Sequence, residues 1–190
     1  MTTVITHALV GLLAAKAIEK PDTPKRFMFL ALVCPMIPDL DIIGYNLFYI
    51  PIGHTLGHRG FFHSPIFCLV LALLITSLFF YHNKIFSKTW FRTVLFFFLV
   101  LISHGLLDAL TNRGLGVAFL SPFSNARFFF PWRPIEISPL SIQAFLGSRG
   151  LRVFSSELLW IWLPAFSFSI LAGSIKRHRN RNQPVSMPTI

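Results

Sequence analysis

The chain has 190 residues, of which 54% are hydrophobic and only 13% charged, with a mean hydropathy of +0.64. This excludes a water-soluble domain, because 22 phenylalanines are more rings than a soluble core of this length can hide. A formal charge of +10 raises nucleic-acid binding, but the basic residues fall between and after apolar runs, where membrane topology accounts for them, so no nucleic-acid partner is expected.

In chain order, the first apolar run is Val4 to Ile18, closed by a polar turn from Glu19 to Arg26. No basic segment precedes this run and no small-residue cleavage signal follows it, so it is expected to stay as a spanning helix rather than be removed. A second run starts at Phe27, meets Cys34-Pro35-Met36-Ile37-Pro38-Asp39, and continues from Leu40 to Ile52. Two prolines and two aspartates within it predict an interrupted helix at Pro35–Asp41, facing protein or a polar cavity, because freed carbonyls need a partner other than lipid.

After a polar stretch from His54 to His63, Pro65 to Tyr81 reads as a third span, with Pro65 favourable in its first turn. Thr93 to Leu110 is the fourth and Glu157 to Gly173 the last. Between these two, residues 112–154 are rich in turn formers and aromatics, which predicts a structured extracytoplasmic or interfacial loop. The reading is therefore an all-α, polytopic membrane helical bundle of about five spans, a single domain over residues 1–175 with a basic cytoplasmic tail at 176–190. Cys34 and Cys68 both lie in apolar runs and read as inert core thiols.

Alternating spans put Lys20, Lys25, Arg26, Lys84, Lys88, Arg92 and the basic residues from Lys176 onward on one side, against six arginines and no lysine on the other. The lysine-bearing side is then cytoplasmic.

Seven ionisable residues lie in or beside the predicted spans: His7, Asp39, Asp41, His58, His63, His104 and Asp108. Such residues are costly in lipid and mark a functional site by default. His7, Asp39 and His104 each fall roughly 17–18 Å from the cytoplasmic boundary at 1.5 Å rise per residue, in the outer half of the bilayer. His104 and Asp108, four apart, project from one helix face as a chelating pair does. Alone, His7 fits a hydrogen-bonded core residue and His104 with Asp108 a structural lock. Matched depth on three helices favours a metal site. Imidazole and carboxylate without thiolate suit a divalent metal, zinc, manganese or iron, and the ligand number permits one or two ions. His82 and His178 fall at loop positions away from this level and read as solvated.

At these residues the chain resembles a known family. Thr6-His7 with Gly11, Pro38-Asp39-Leu40-Asp41, and His58-Arg59-Gly60-Phe61-Phe62-His63-Ser64 carry the first part of the likeness. His104-Gly105-Leu106-Leu107-Asp108 with Thr111 and Gly114, then Pro122-Phe123-Ser124 through Arg127 and Pro131, carry the rest. Together they resemble the bacterial inner-membrane metal-dependent hydrolases, also labelled LexA-binding, over most of residues 1–135. A weaker likeness, on His104-x-x-x-Asp108 and Asp39, is to zinc-dependent phospholipase C and nuclease P1 enzymes; a second His-x-x-x-Asp is missing. The resemblance implies a multi-pass hydrolase of the bacterial inner membrane.

The combined expectation is a site towards the extracytoplasmic side in which His7, Asp39, His58, His63, His104 and Asp108 hold the metal, zinc foremost. Asp41 would support a ligand, bridge ions or act as general base. Arg59, Arg127 or Arg133 would offset charge on a phosphoryl oxygen, with Arg127 and Arg133 as anion-binding residues or interfacial anchors. Depth points to an ester or phosphoester of a lipid or lipid-linked molecule. Two competing classes are an ion or metal transporter, since acidic residues beside a broken helix also hold carried ions, and a noncatalytic scaffold that binds a protein through its basic tail.

Overall fold

The computed structural model describes residues 1–139 and 141–181, and among these the chain is all-α. Helix α1 (Val4–Ile18) starts at Thr3, whose hydroxyl accepts from the Thr6 amide at 3.2 Å. Helix α2 (Lys25–Val33) runs into a 3-10 stretch (Cys34–Asp41) and then into α3 (Ile42–Phe48). The interruption expected at Pro35–Asp41 is thus a tightening rather than a gap, and 24 residues from Lys25 to Phe48 follow one helical path. The physical reason is local. Pro35 sits in the first turn of the 3-10 stretch, where its missing N–H is not needed, and its carbonyl accepts from His104 Nδ1 at 2.8 Å. The apolar run read to Ile52 ends as helix at Phe48, because Tyr49 adopts a left-handed conformation (φ 54°).

Ser64 caps α4 (Pro65–Phe79), accepting from the Phe67 amide, and Ser87 caps α5 (Lys88–Ala109) in the same way through Trp90. The long loop after α5 is pinned by isolated bridges of Thr111 with Ile135 and Val117 with Phe128. Beyond the short α6 (Ile142–Phe145), helix α7 (Ser148–Glu157) leads through a π stretch (Leu158–Trp162) into α8 (Leu163–Arg181). The last helix therefore begins nine residues ahead of Glu157, since Arg149, Arg152 and Ser155 hide an amphipathic start from a hydropathy reading. It also runs into the stretch read as a basic tail, of which residues 182–190 lie outside the described residues.

Among the described residues, three helical segments are long and apolar enough to cross a membrane: Lys25–Phe48, Lys88–Ala109 and Ser148–Lys176. The shorter apolar helices α1 and α4, at 15 residues each, reach about 22 Å, short of a hydrocarbon core of about 30 Å.

Packing brings α1 onto α2, α8 and the 3-10 stretch, and α4 onto α5. Gly11 makes the first crossing possible, since a Cβ there would collide with the Ala31 carbonyl oxygen. Cys68, Ala72 and Ile75 of α4 meet Val94, Phe97 and Leu101 of α5 in the apolar core. Cys34 and Cys68 are buried and free, as the reading of core thiols expects. The 3-10 stretch touches α1, α5 and the turn Phe61–His63 before α4, so four segments meet at one end of the bundle.

Candidate metal centre

Those four segments, with the loop that leads into the Phe61–His63 turn, carry the polar residues picked out from the sequence, and His7, Asp39, Asp41, His58, Arg59, His63, His104 and Asp108 are all buried. Among the described residues, two sets of side chains could hold metal ions: Asp39, His63, His104 and Asp108, and separately Asp41, His58 and His63. Within each set the candidate ligand atoms lie within 4.8 Å of one another.

In the first set, His104 is oriented by its bond to the Pro35 carbonyl. A carbonyl only accepts, so Nδ1 carries the hydrogen and Nε2 is left with its lone pair turned inward. It accepts from His63 Nε2 at 3.0 Å and lies 3.4 Å from Asp39 Oδ1. His63 Nε2 is 3.9 Å from Asp39 Oδ1 and 3.8 Å from Asp108 Oδ2. Tetrahedral zinc with ligand bonds near 2.0–2.2 Å would separate its ligands by about 3.3–3.6 Å, inside the observed range. Both oxygens of Asp39 are buried and receive no hydrogen bond from the described residues. A carboxylate in that condition is costly unless a cation faces it, so this donor set fits a divalent ion.

His63 belongs to both sets. Burial holds its imidazole below the ordinary histidine range, which leaves it neutral near pH 7 and able to donate a lone pair. Its Nδ1 lies 3.3 Å from Asp41 Oδ2, close enough for electrostatic attraction but off the line of a hydrogen bond. On the far side, His58 Nδ1 donates to Asp41 Oδ1 at 2.8 Å.

Arg59 is buried and spans the site from a left-handed backbone position (φ 63°), a conformation that a non-glycine residue holds at a cost of about 1–3 kcal/mol. Gly60 follows it so tightly that a Cβ would collide with the Thr55 carbonyl oxygen. The Arg59 amide donates to Asp41 Oδ2, Nε to Asp108 Oδ2 at 3.1 Å, and the remaining guanidinium nitrogens to the Leu115 carbonyl and the Thr111 hydroxyl. Its charge is committed to Asp108. Arg127 spends its guanidinium on the carbonyls of Ile52, His54, His58 and Gly116, which fastens the 52–58 loop over the site. Burial lowers its pKa, with Arg59 adding to the effect. Arg133 is exposed and lies over the Phe129 ring at 4.8 Å.

His7 stands beside the first set without joining it. Its ring stacks on His104 with centroids 3.6 Å apart, and Nε2 is 2.6 Å from the Thr2 hydroxyl. Thr2 in turn donates to Asp108 Oδ1 from its amide at 2.8 Å and its hydroxyl at 3.2 Å. Neither Thr2 nor Glu157 stands out in the sequence. Glu157 is fully buried and accepts from the Thr3 amide and from the Thr3 and Thr6 hydroxyls, which ties the last helix to the start of α1. An acid at the head of an apolar run is the available signal for it. His82, read as solvated, is exposed.

The sequence comparisons agree with this setting. The family described as YdjM inner membrane protein matches residues 1–180. Inner membrane protein YbcI of Escherichia coli (strain K12) is 38% identical over 169 residues, covering 86% of this chain and 92% of that protein. No solved structure matches. With a match over almost its whole length and candidate membrane spans to suit, the chain belongs to the YdjM inner membrane protein family.

Proposed function

We propose that this protein is a membrane-bound, metal-dependent hydrolase of an ester or phosphoester at the outer face of the inner membrane. The observation that carries the reading is Asp39: a carboxylate buried without a donor among the described residues, turned towards Nε2 of two histidines. Asp39, His63, His104 and Asp108 would hold one divalent ion, zinc first, and Arg59 and Thr2 would hold Asp108 in place. An ion bound there supplies Lewis acidity and lowers the pKa of water for hydrolysis.

The chain's own groups do the rest. His58, oriented by the Asp41 carboxylate, keeps Nε2 available to take a proton, and it lines a cavity of about 380 Å³ together with Arg59, Leu115 and Ile137. Asp41 thus works through His58 and His63. With Arg59 spent on Asp108 and Arg127 on loop carbonyls, their sequence-based roles at a phosphoryl oxygen pass to the ion itself. The extracytoplasmic placement rests on the lysine-rich loops lying at the opposite end of the bundle from the site.

The test is metal analysis of detergent-purified protein beside hydrolysis of chromogenic phosphodiesters and carboxyl esters. One equivalent of metal in wild type, none in Asp39→Asn, and activity that follows the metal are expected. Wild-type protein that binds no divalent ion after incubation with zinc, manganese or iron would sink the proposal.

A further inference from the structure

Asp41 also lines a second cavity, of about 390 Å³, formed by the 3-10 stretch with α3, the return loop and the start of α4. Its walls are apolar, with Leu40, Ile43, Ile50 and Phe62 among them, and Asp41 is the one ionisable residue in the lining among the described residues. Three features make this a groove rather than plain helix surface. The left-handed Tyr49 turns the chain back, and the Ile50 amide donates to the Gly44 carbonyl at 3.1 Å, so that Ile50 lies over α3. Gly44 leaves the floor open, since a Cβ there would stand 3.3 Å from Ile50 Cδ1. Phe61, Phe62 and Phe67 pack edge to face with centroids 5.1–5.8 Å apart, which stiffens the opposite wall.

We infer that this groove binds the acyl tail of a membrane phospholipid, with the polar end of that lipid beside Asp41 and the metal ligands. The occupant follows from the surroundings. The 3-10 stretch and α3 belong to the candidate span Lys25–Phe48 of an inner membrane protein, so hydrocarbon chains are the medium at the groove mouth. An apolar cavity open to that medium fills with a tail, because water there would find almost no polar partner. Asp41 is shared by groove and site, touching His58 at 2.8 Å and His63 at 3.3 Å, so a tail seated in the groove sets its ester or phosphoester end at the proposed catalytic centre. The choice of lipid as substrate rests on the hydrolase reading; the binding of a tail does not.

The test uses the full chain in vesicles of phosphatidylethanolamine and phosphatidylglycerol, doped with phosphatidylglycerol carrying a diazirine on one acyl chain. After illumination, adducts are mapped by peptide mass spectrometry. In wild type, labelling of residues 40–50 and 62–67 is expected to exceed labelling at the lipid-facing Leu95 and Leu99 of α5 by about tenfold. Gly44→Leu fills the floor and should bring the groove down to the α5 level while leaving metal content unchanged. Gly44→Ala should keep the excess, and Asp39→Asn should lose metal yet keep the excess. Equal labelling of groove and α5 in wild type overturns the inference, and so does an undiminished excess in a folded Gly44→Leu. If Gly44→Leu does not fold, the comparison of groove with α5 in wild type and Gly44→Ala still decides. Groove labelling in a protein that binds no metal would leave the tail site standing and remove the hydrolase.

Discussion

The two sides of His63 are built from the same residue types and differ in what their lone pairs face. Towards Asp41 both carboxylate oxygens are satisfied: His58 donates to one and the Arg59 backbone amide to the other. Towards Asp39 the Nε2 atoms of His63 and His104 share a hydrogen bond at 3.0 Å, but the Asp39 carboxylate that faces them at 3.4–3.9 Å has no donor among the described residues. A closed hydrogen-bonded pair is stable as it stands. A buried carboxylate with no donor is costly unless a cation faces it, so on the proposed reading the ion sits on the Asp39 side and Asp41 orients His58.

The largest effect should come from the open side. His104→Ala or Asp39→Asn removes the bound ion and lowers hydrolysis by about a thousandfold, checked by metal analysis and initial rates side by side. Retention of a full equivalent in both variants would erase the distinction between the two sides. Next in size is Arg59→Met, which strips Asp108 of its buried counter-charge and should cost about 3–5 kcal/mol, read as a fall in the detergent-solubilised melting temperature.

On the closed side, Asp41→Asn and His58→Ala should keep one ion per chain while weakening its affinity about 10–100-fold, measured by competition with a chelating dye. A drop from two ions to one in these variants would instead make the Asp41 set a second metal site. Smallest is Glu157→Gln, which alters the clamp on Thr3 and Thr6 and should destabilise by about 1–3 kcal/mol, with metal stoichiometry unchanged.

Much of the site is legible in the residues themselves. Asp39, His104 and Asp108 stand out because ionisable groups in apolar runs have few reasons to be there, His63 because it sits beside the start of a span, and the matched depth of Asp39 and His104 on separate helices points to one pocket. For His7 depth locates the residue along the membrane normal but not around its helix; its ring stacks on His104 and its Nε2 lies 3.7 Å from Asp108 Oδ1. Arg59 and Arg127 are legible as cations near the site, yet which acceptors they meet depends on a loop held together by Gly60 and by backbone carbonyls that carry no sequence signature. Thr2 carries no signal in the sequence, and Glu157 only that of an acid at the head of an apolar run, because their bonds to Asp108 and to Thr3 join residues more than a hundred apart along the chain.

Composition and apolar periodicity by themselves determined that this chain is helical, belongs in a membrane and buries histidine and aspartate together, because lipid penalises charge and unpaired backbone wherever they occur. Tertiary structure alone decided which imidazole nitrogen faces which carboxylate. That choice turns on a 3-10 stretch whose Pro35 carbonyl fixes the ring of His104, and on Gly11 letting α1 close against α2 beside it. Hydrogen-bond direction and close backbone approach are properties of the packed chain, and no residue spacing encodes them.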